Sequence, residues 1–510
     1  MLDLPERYNV STLLDANLQA GRGRKVAIYC GDERMTYDHL HARVCSLGRA
    51  LRSLGVTREQ RVLLVLDDTP AFPVAFFGAI RIGAVPAPIN PLLREDDYRH
   101  VVVDTDASVV IAEGKYVEKL FRALHDHLDP VTVVAAGEPV AGCTPLDDLL
   151  GSQEPDLAPA STHRDDMAFW LYSSGSTGRP KGVVHLQHDI PYTCQTYARH
   201  ILDIREDDLV FGRVLFHAYG LGNCLSFPFS VGASTVFYPA RPTPIDLLKT
   251  IDKRRPTLFF SVPTLFNAIL NDPESRQYDL SSVRLCVSAA EPLPPETWRR
   301  WKDAYGQEIL DGIGSTEMLH IYCSNRAGAV RPGSTGQPVP GYDLRLVDRD
   351  GNILSGGGPG ILEVRGDSSA PAYWRQHARS QQTMRGDWVV TGDLYRVDED
   401  GFYWYEGRAD DMIKVGGEWV SPIEIENALI AHPSVREVAV VGVSVEGTTR
   451  IRAVIVLAPD HRESDALTRA LQEWCKERLQ RYQYPHSVAY VNELPKTTTG
   501  KVQRFQLRTG

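Results

Sequence analysis

Residues 172–183 read YSSGSTGRPKGV, a loop dense in hydroxyls and glycines that follows the apolar run 167–171 and precedes another apolar pair. Small residues let backbone amides approach phosphate oxygens, hydroxyls donate further hydrogen bonds, and a lysine supplies charge. Ser173, Ser174, Gly175, Ser176, Thr177, Gly178 and Lys181 are therefore candidate phosphate-binding residues. The string is not a Walker A loop. Counted from Gly175, the Gly-Lys positions hold Pro180 and Lys181, and Gly182 stands where Ser or Thr is needed. The later Thr499-Gly500-Lys501 fails the same test, with Pro495 and Val502 at the defining positions.

Upstream of this loop the pattern alternates between helix and strand. Apolar residues at Val44, Leu47, Leu51 and Leu54 recur at helical spacing until Gly55, and a strand is predicted over 61–66. A second helix-to-strand passage spans 75–89, and short buried strands at 109–112 and 131–135 flank a helix over 117–127. Downstream, apolar stretches at 339–348, 360–365, 388–391 and 402–405 lie between Gly and Asp pairs, which predicts a β-rich, barrel-like unit. From Asp411 the pattern restarts: helix 421–431, strands 437–442 and 450–457, helix 464–481 and a strand near 487–491. That is about a hundred residues, a usual size for a small domain.

A chain of 510 residues exceeds what one core organises, so two domains are expected. The net charge of −10 is spread without a basic cluster, which argues against nucleic acid or an anionic membrane as partner. The eight cysteines form no C-x-x-C pair, so neither a zinc site nor a disulfide scaffold is indicated, and reduced thiols in a cytoplasmic protein are expected. The first residues lack a secretory pattern, and the most apolar stretch, 71–89, carries Arg81 and three prolines, so no membrane span is expected.

The loop string resembles the signature of the acyl-adenylate-forming superfamily, and further matches follow in that family's order over nearly the whole chain. LFHAYGLG (215–222) is similar to the motif whose histidine, here His217, sits beside the substrate carboxylate. DGIGSTE (311–317) resembles the motif that places Asp311, Gly312 and Ile313 at the nucleotide, and Thr316 and Glu317 at the α-phosphate and a magnesium ion. Ile313 stands where most relatives carry an aromatic residue against adenine. WVVTGDL (388–394) supplies Asp393 for the ribose hydroxyls, a geometry two carboxylate oxygens suit. EGRADDMIK (406–414) supplies Arg408 for the ribose and Asp410 as hinge, and PKTTTGKVQR (495–504) supplies Lys501 as catalytic lysine.

The resemblance implies an α/β fold: two α/β sheet subdomains and a β-barrel-like subdomain over 1–409, then a small mobile α+β domain over 410–510. It implies ATP, Mg²⁺ and CoA, or a carrier-protein phosphopantetheine in place of CoA. The acid is joined to AMP with Lys501, loop amides and magnesium neutralising charge; the small domain then rotates about Asp410, and Gly416 and Gly417 leave room for a pantetheine arm. Ala218, Tyr219, Gly220, Ala289, Ile313, Gly314 and His320 mix small and flat residues around a predicted acid pocket. A planar ring fits that mixture, and the run GIGSTEMLHIY (312–322) with AYGLGN looks closest to the benzoate–CoA ligase branch. His217 or His320 can hydrogen-bond an ortho substituent, so benzoate, salicylate and anthranilate are all candidates. A homodimer is the default assembly.

Overall fold

A computed structural model describes residues 3–125, 130–173, 179–240, 242–354, 358–409, 411–415, 418–445, 448–459, 461–480, 482–496 and 502–508. Ser174, Gly175, Ser176, Thr177, Gly178, Asp410, Gly416, Gly417 and Lys501 lie outside the described residues.

The α/β alternation before the loop forms a five-stranded parallel sheet in the order Val85–Pro88, Arg61–Val65, Val109–Glu113, Thr132–Ala136, Thr144–Pro145. Its feeding helix, Tyr37–Ser53, starts where the Thr36 hydroxyl accepts the His39 N–H and stops before Gly55, whose φ of +85° suits a residue without Cβ. Leu40, Val44, Leu47 and Leu51 lie fully buried on one face, against helix Ala71–Arg81. A Cβ at Gly78 would come within 3.0 Å of Leu47 Cβ, so the glycine sets how closely these helices approach. The predicted helix over 117–127 runs Gly114–Leu124 instead, beginning directly at the end of its strand.

A nine-stranded sheet forms the second layer. Its central strands, Ile309–Gly314, Leu285–Ser288, Leu258–Ser261, Leu209–Phe211, Ser234–Phe237 and Val26–Cys30, are parallel neighbours in that order. Several have only three or four residues, too short for periodicity to separate strand from buried helix. The chain passes from Leu209–Phe211 to Ser234–Phe237 on one side, then to Leu258–Ser261 on the other. A reversal of strand order like this opens a crevice at the carboxyl ends of the strands.

The predicted barrel-like unit is a five-stranded antiparallel sheet built on Asp343–Val347, Gly360–Arg365, Trp388–Val397, Met384–Arg385 and Tyr403–Arg408. The C-terminal unit packs helices Pro422–Ile430 and Asp465–Lys476 against a three-stranded sheet of Val435–Val445, Thr448–Leu457 and Ser487–Tyr490. It has its own core around Ile425, Leu429, Ile451 and Leu471. Among the described residues, no helix is long and apolar enough to cross a membrane.

The N-terminal helices are tied by a charged cluster. Arg81 donates both terminal nitrogens to Asp15 (2.8 and 2.9 Å), and His41 Nε2 lies 3.2 Å from Asp15 Oδ1. The Asp15 carboxylate, aided by Cys45 and opposed by burial and Arg81, raises His41 to about 9. A group raised in the folded state stabilises fully below its unfolded value and loses that effect as pH rises through the folded value. Stability is therefore expected to fall by on the order of 1–2 kcal/mol between pH 6.5 and 9, after allowance for solvent screening. Urea titrations across that range measure it, and His41→Gln should flatten the slope; an equal slope in the variant contradicts the assignment.

Candidate active site

The hairpin Met167–Ser173 and Lys181–Leu186 brackets the phosphate loop, with Ser173 opposite Lys181 in register. Ser173 Oγ is buried and has no hydrogen-bond partner among the described residues. Lys181, 8% exposed, donates to Glu317 Oε1 at 3.1 Å, and its ammonium lies 3.7 Å from the centroid of the Tyr373 ring. The Tyr373 hydroxyl donates to the same Glu317 oxygen at 2.7 Å. Burial lowers the Lys181 ammonium, and Arg379 and Arg408 push the same way against Glu317. For Glu317, burial raises the carboxyl, but Lys181 and Tyr373 outweigh it and leave the group below the usual range. The pair is oriented before any ligand arrives.

Tyr373 reaches this position through backbone pairing. Trp374 N–H donates to Gly182 O (2.8 Å) and Val184 N–H to Ala372 O (3.1 Å), a single antiparallel bridge between Val183 and Tyr373. Trp374 then packs on Trp170 with centroids 4.5 Å apart and the ring planes tilted by 36°. Below the motif, His185 Nε2 donates to Thr316 O (2.9 Å) while Nδ1 lies 2.7 Å from Asp189 Oδ2, the His185 and Asp189 side chains both fully buried. His185→Leu leaves the Thr316 carbonyl without this donor and takes one partner from Asp189 Oδ2, which keeps the Leu186 N–H at 3.1 Å. We expect about 2–3 kcal/mol of lost stability and a raised KM for ATP, from thermal melts and initial rates; wild-type values for both dismiss His185 as a positioning residue.

The residues predicted to form an acid pocket lie past the carboxyl ends of the parallel strands, His217 to Tyr219 after Leu209–Phe211 and Ala289 after Leu285–Ser288. Val214, a β-branched residue at φ +72°, and Leu319 at +63° stand close in sequence to His217 and His320, and Ala290 at +75° lines the cavity, strain of a kind that collects at functional sites. Asp68 holds the first of these turns by accepting the Val214 and Leu215 N–H groups, both at 2.8 Å. His217 caps the short helix Ala218–Leu221, its Nδ1 accepting the Tyr219 N–H at 3.3 Å. The Tyr219 hydroxyl is pinned to Val287 O at 3.1 Å. His320 is buried, and burial lowers it to about 3, so the ring is neutral. Its Nε2 donates to Tyr219 O at 3.3 Å, and its Nδ1 has no partner among the described residues.

One cavity of about 2170 Å³ joins these groups. Ser173, Lys181, His217, Ala218, Tyr219, Ala289, Gly312, Ile313, Gly314, Thr316, Glu317, His320, Asp393 and Arg408 all line it. Arg408 Nη1 donates to Asp393 Oδ1 at 3.1 Å and to Thr391 O at 2.8 Å. Two predicted residues stand apart from its wall. Gly220 is packed where a Cβ would meet the Arg213 and Val214 carbonyl oxygens at 2.3 Å, so it serves the turn and not the pocket. Asp311 is buried behind the wall; burial holds its carboxyl well above the usual range, and its carbonyl oxygen accepts the Asn325 N–H at 2.9 Å. Sequence reasoning missed Tyr373, Arg379, Tyr395 and Tyr405, which line the same space. Val502, Gln503, Arg504 and Phe505 border it from the C-terminal unit, with Arg504 anchored on both oxygens of Glu426 at 2.8 and 2.7 Å.

A volume above the usual 300–1,000 Å³ of a small-ligand site suits a nucleotide and an acid together. The sequence profile of AMP-binding enzymes matches residues 15–374, and that of the AMP-binding enzyme C-terminal domain matches 424–501. The chain belongs to the AMP-binding enzyme family. Within it the chain falls in the benzoate–CoA ligase branch: it is 45% identical to the benzoate–CoA ligase of Thauera aromatica over 515 residues, 100% of this chain and 97% of that protein. The solved anthranilate CoA ligase AuaEII, in complex with anthranoyl-AMP, superposes with a TM-score of 0.96 at 41% identity, covering 99% of this chain and 98% of that one. A benzoate CoA ligase from Burkholderia xenovorans LB400 gives 0.92 at 42% identity, covering 98% and 100%.

Proposed function

We propose that the enzyme activates an aromatic carboxylic acid, benzoate or an ortho-substituted benzoate, to the aryl-adenylate and transfers the aryl group to CoA, giving aryl-CoA, AMP and pyrophosphate. The observation that carries this reading is the continuity of one cavity from the Lys181–Glu317 pair to a pocket walled by Ala218, Tyr219, Ala289, Gly314 and His320. Relatives named for benzoate and anthranilate support it.

The carboxylate oxygen attacks the α-phosphorus of ATP. Both reactants are anionic, so catalysis rests on neutralising and aligning charge. Lys181 and Lys501 supply cations, Ser173 Oγ and residues 174–178 supply donors, and Asp393 with Arg408 hold the ribose. Glu317 and the Thr316 hydroxyl would hold magnesium: no cluster of three or more His, Cys, Asp or Glu suited to a metal occurs among the described residues, and this ion commonly takes one or two carboxylates plus phosphate oxygens. When bound it supplies charge stabilisation at the phosphates. His217 stands beside the acid carboxylate, and Ile313 forms part of the adenine wall. The domain boundary lies at 409/410, with Asp410 as hinge and Gly416-Gly417 flanking the pantetheine path. A cytoplasmic homodimer belongs to the same reading.

Acid-dependent exchange of pyrophosphate into ATP, run across substituted benzoates and followed by product analysis with CoA, tests the proposal. Exchange with benzoate, salicylate or anthranilate and formation of aryl-CoA are expected. Exchange without aryl-CoA transfers the role of acceptor to a carrier-protein phosphopantetheine, and no exchange with any aryl acid defeats the reading.

A further inference from the structure

The cavity's phosphate side carries more positive charge than its own carboxylates balance. Lys181 is matched by Glu317 and Arg408 by Asp393. Arg379 differs. It projects from helix His377–Thr383, is half-buried, lines the cavity, and among the described residues has no carboxylate oxygen within 4.0 Å of its nitrogens. Its guanidinium carbon lies 6.0 Å from the Tyr373 ring centroid, the ring whose face holds the Lys181 ammonium at 3.7 Å. Two cations thus share one aromatic ring, and each makes the other costlier.

The placement is built in. The bridge between Val183 and Tyr373 lays the chain against the strand that leaves the phosphate loop, and the helix bearing Arg379 begins four residues later. Gln382 and Thr383 of that helix line the same wall, so it offers side-chain donors beside the cation. Among the described residues Arg379 has no carboxylate partner beside the already paired Lys181, so an anionic ligand is suited to balance it, and guanidinium suits phosphate oxygens bidentately.

We infer that Arg379 is the pyrophosphate-binding cation of the first half-reaction, holding the β- and γ-phosphates of ATP and the pyrophosphate they become. This rests on the function proposed above. A bond forms between the acid's carboxylate oxygen and the α-phosphorus. The bond from that phosphorus to the α,β-bridging oxygen breaks, and its electron pair leaves with the pyrophosphate, where Arg379 meets the added charge. The second half-reaction involves no pyrophosphate, so Arg379 serves only one of the two steps.

The test uses the full-length enzyme and the variants Arg379→Gln and Arg379→Lys, with aryl acid, ATP and labelled pyrophosphate. Arg379→Gln is expected to raise the KM for pyrophosphate in the exchange reaction by ~10- to 100-fold, to raise the KM for ATP, and to leave transfer to CoA from supplied aryl-adenylate at the wild-type rate. Arg379→Lys should recover part of the pyrophosphate affinity. An unchanged pyrophosphate KM in Arg379→Gln overturns the inference, as do equal losses in both half-reactions, which mark a structural role. Failure of the wild-type enzyme to exchange with any aryl acid removes the underlying function as well, so the two failures are distinct.

Discussion

Lys501→Ala is expected to slow aryl-adenylate formation by roughly 10³-fold while leaving CoA transfer from supplied aryl-adenylate within about threefold of wild type. The first step brings a carboxylate against a triphosphate, so a cation at their junction acts on charge that is concentrated in the transition state. In the second step a thiol attacks the acyl carbon of the mixed anhydride, the acyl C–O bond breaks and AMP leaves, with less charge to offset. Lys496, Val502, Gln503, Arg504 and Phe505, on either side of the lysine in sequence, line the cavity that holds Lys181, Glu317 and Asp393. Single-turnover measurement of each half-reaction separates the steps. Equal loss in both assigns Lys501 to the architecture of the terminal segment and ends its proposed role.

Glu317→Gln should lower kcat/KM for ATP by on the order of 10²–10³ and shift the magnesium dependence to higher concentration. Glutamine preserves the side chain's shape, and Tyr373 can still donate to its amide oxygen. What disappears is the charge. Lys181 becomes a buried ammonium without this counter-ion, at a cost of about 3 kcal/mol, and the carboxylate proposed to hold magnesium is lost. Steady-state kinetics over a magnesium series and a thermal melt report the two effects independently. Wild-type kcat/KM at limiting magnesium would exclude Glu317 as the metal's ligand.

Much of the site was legible because its residues come in short contiguous motifs whose chemistry does not depend on distant context. Lys181, Thr316, Glu317, Asp393 and Arg408 each sit in such a string, and all five line one cavity. Tyr373 and Arg379 were not legible. Nothing in YWRQHARSQQ marks a site, and its place beside Lys181 depends on a bridge across about 190 residues of chain. His185 and Asp189 stand four apart, yet their purpose is visible only once Thr316 lies over them. Gly220 and Asp311 also belong to motif strings, yet neither lines the cavity: one is packed against a turn and the other is buried.

The elements divide along the same line. The long amphipathic helix Tyr37–Ser53 and the Val-rich strands Arg61–Val65 and Val109–Glu113 follow from side-chain periodicity, because each buries one face or two whatever its neighbours are. The sequence by itself determined the kinds of element, the phosphate-loop chemistry and the charged residues available to a nucleotide. Only the tertiary structure decided the strand order that opens the crevice, the pairing of Lys181 with Glu317 and of Arg408 with Asp393, and the placement of Arg379 beside the Tyr373 ring. The reason is physical. Local pattern records what each residue prefers, whereas juxtaposition is a choice among many loop closures that differ little in entropy and are settled by how the sheets pack.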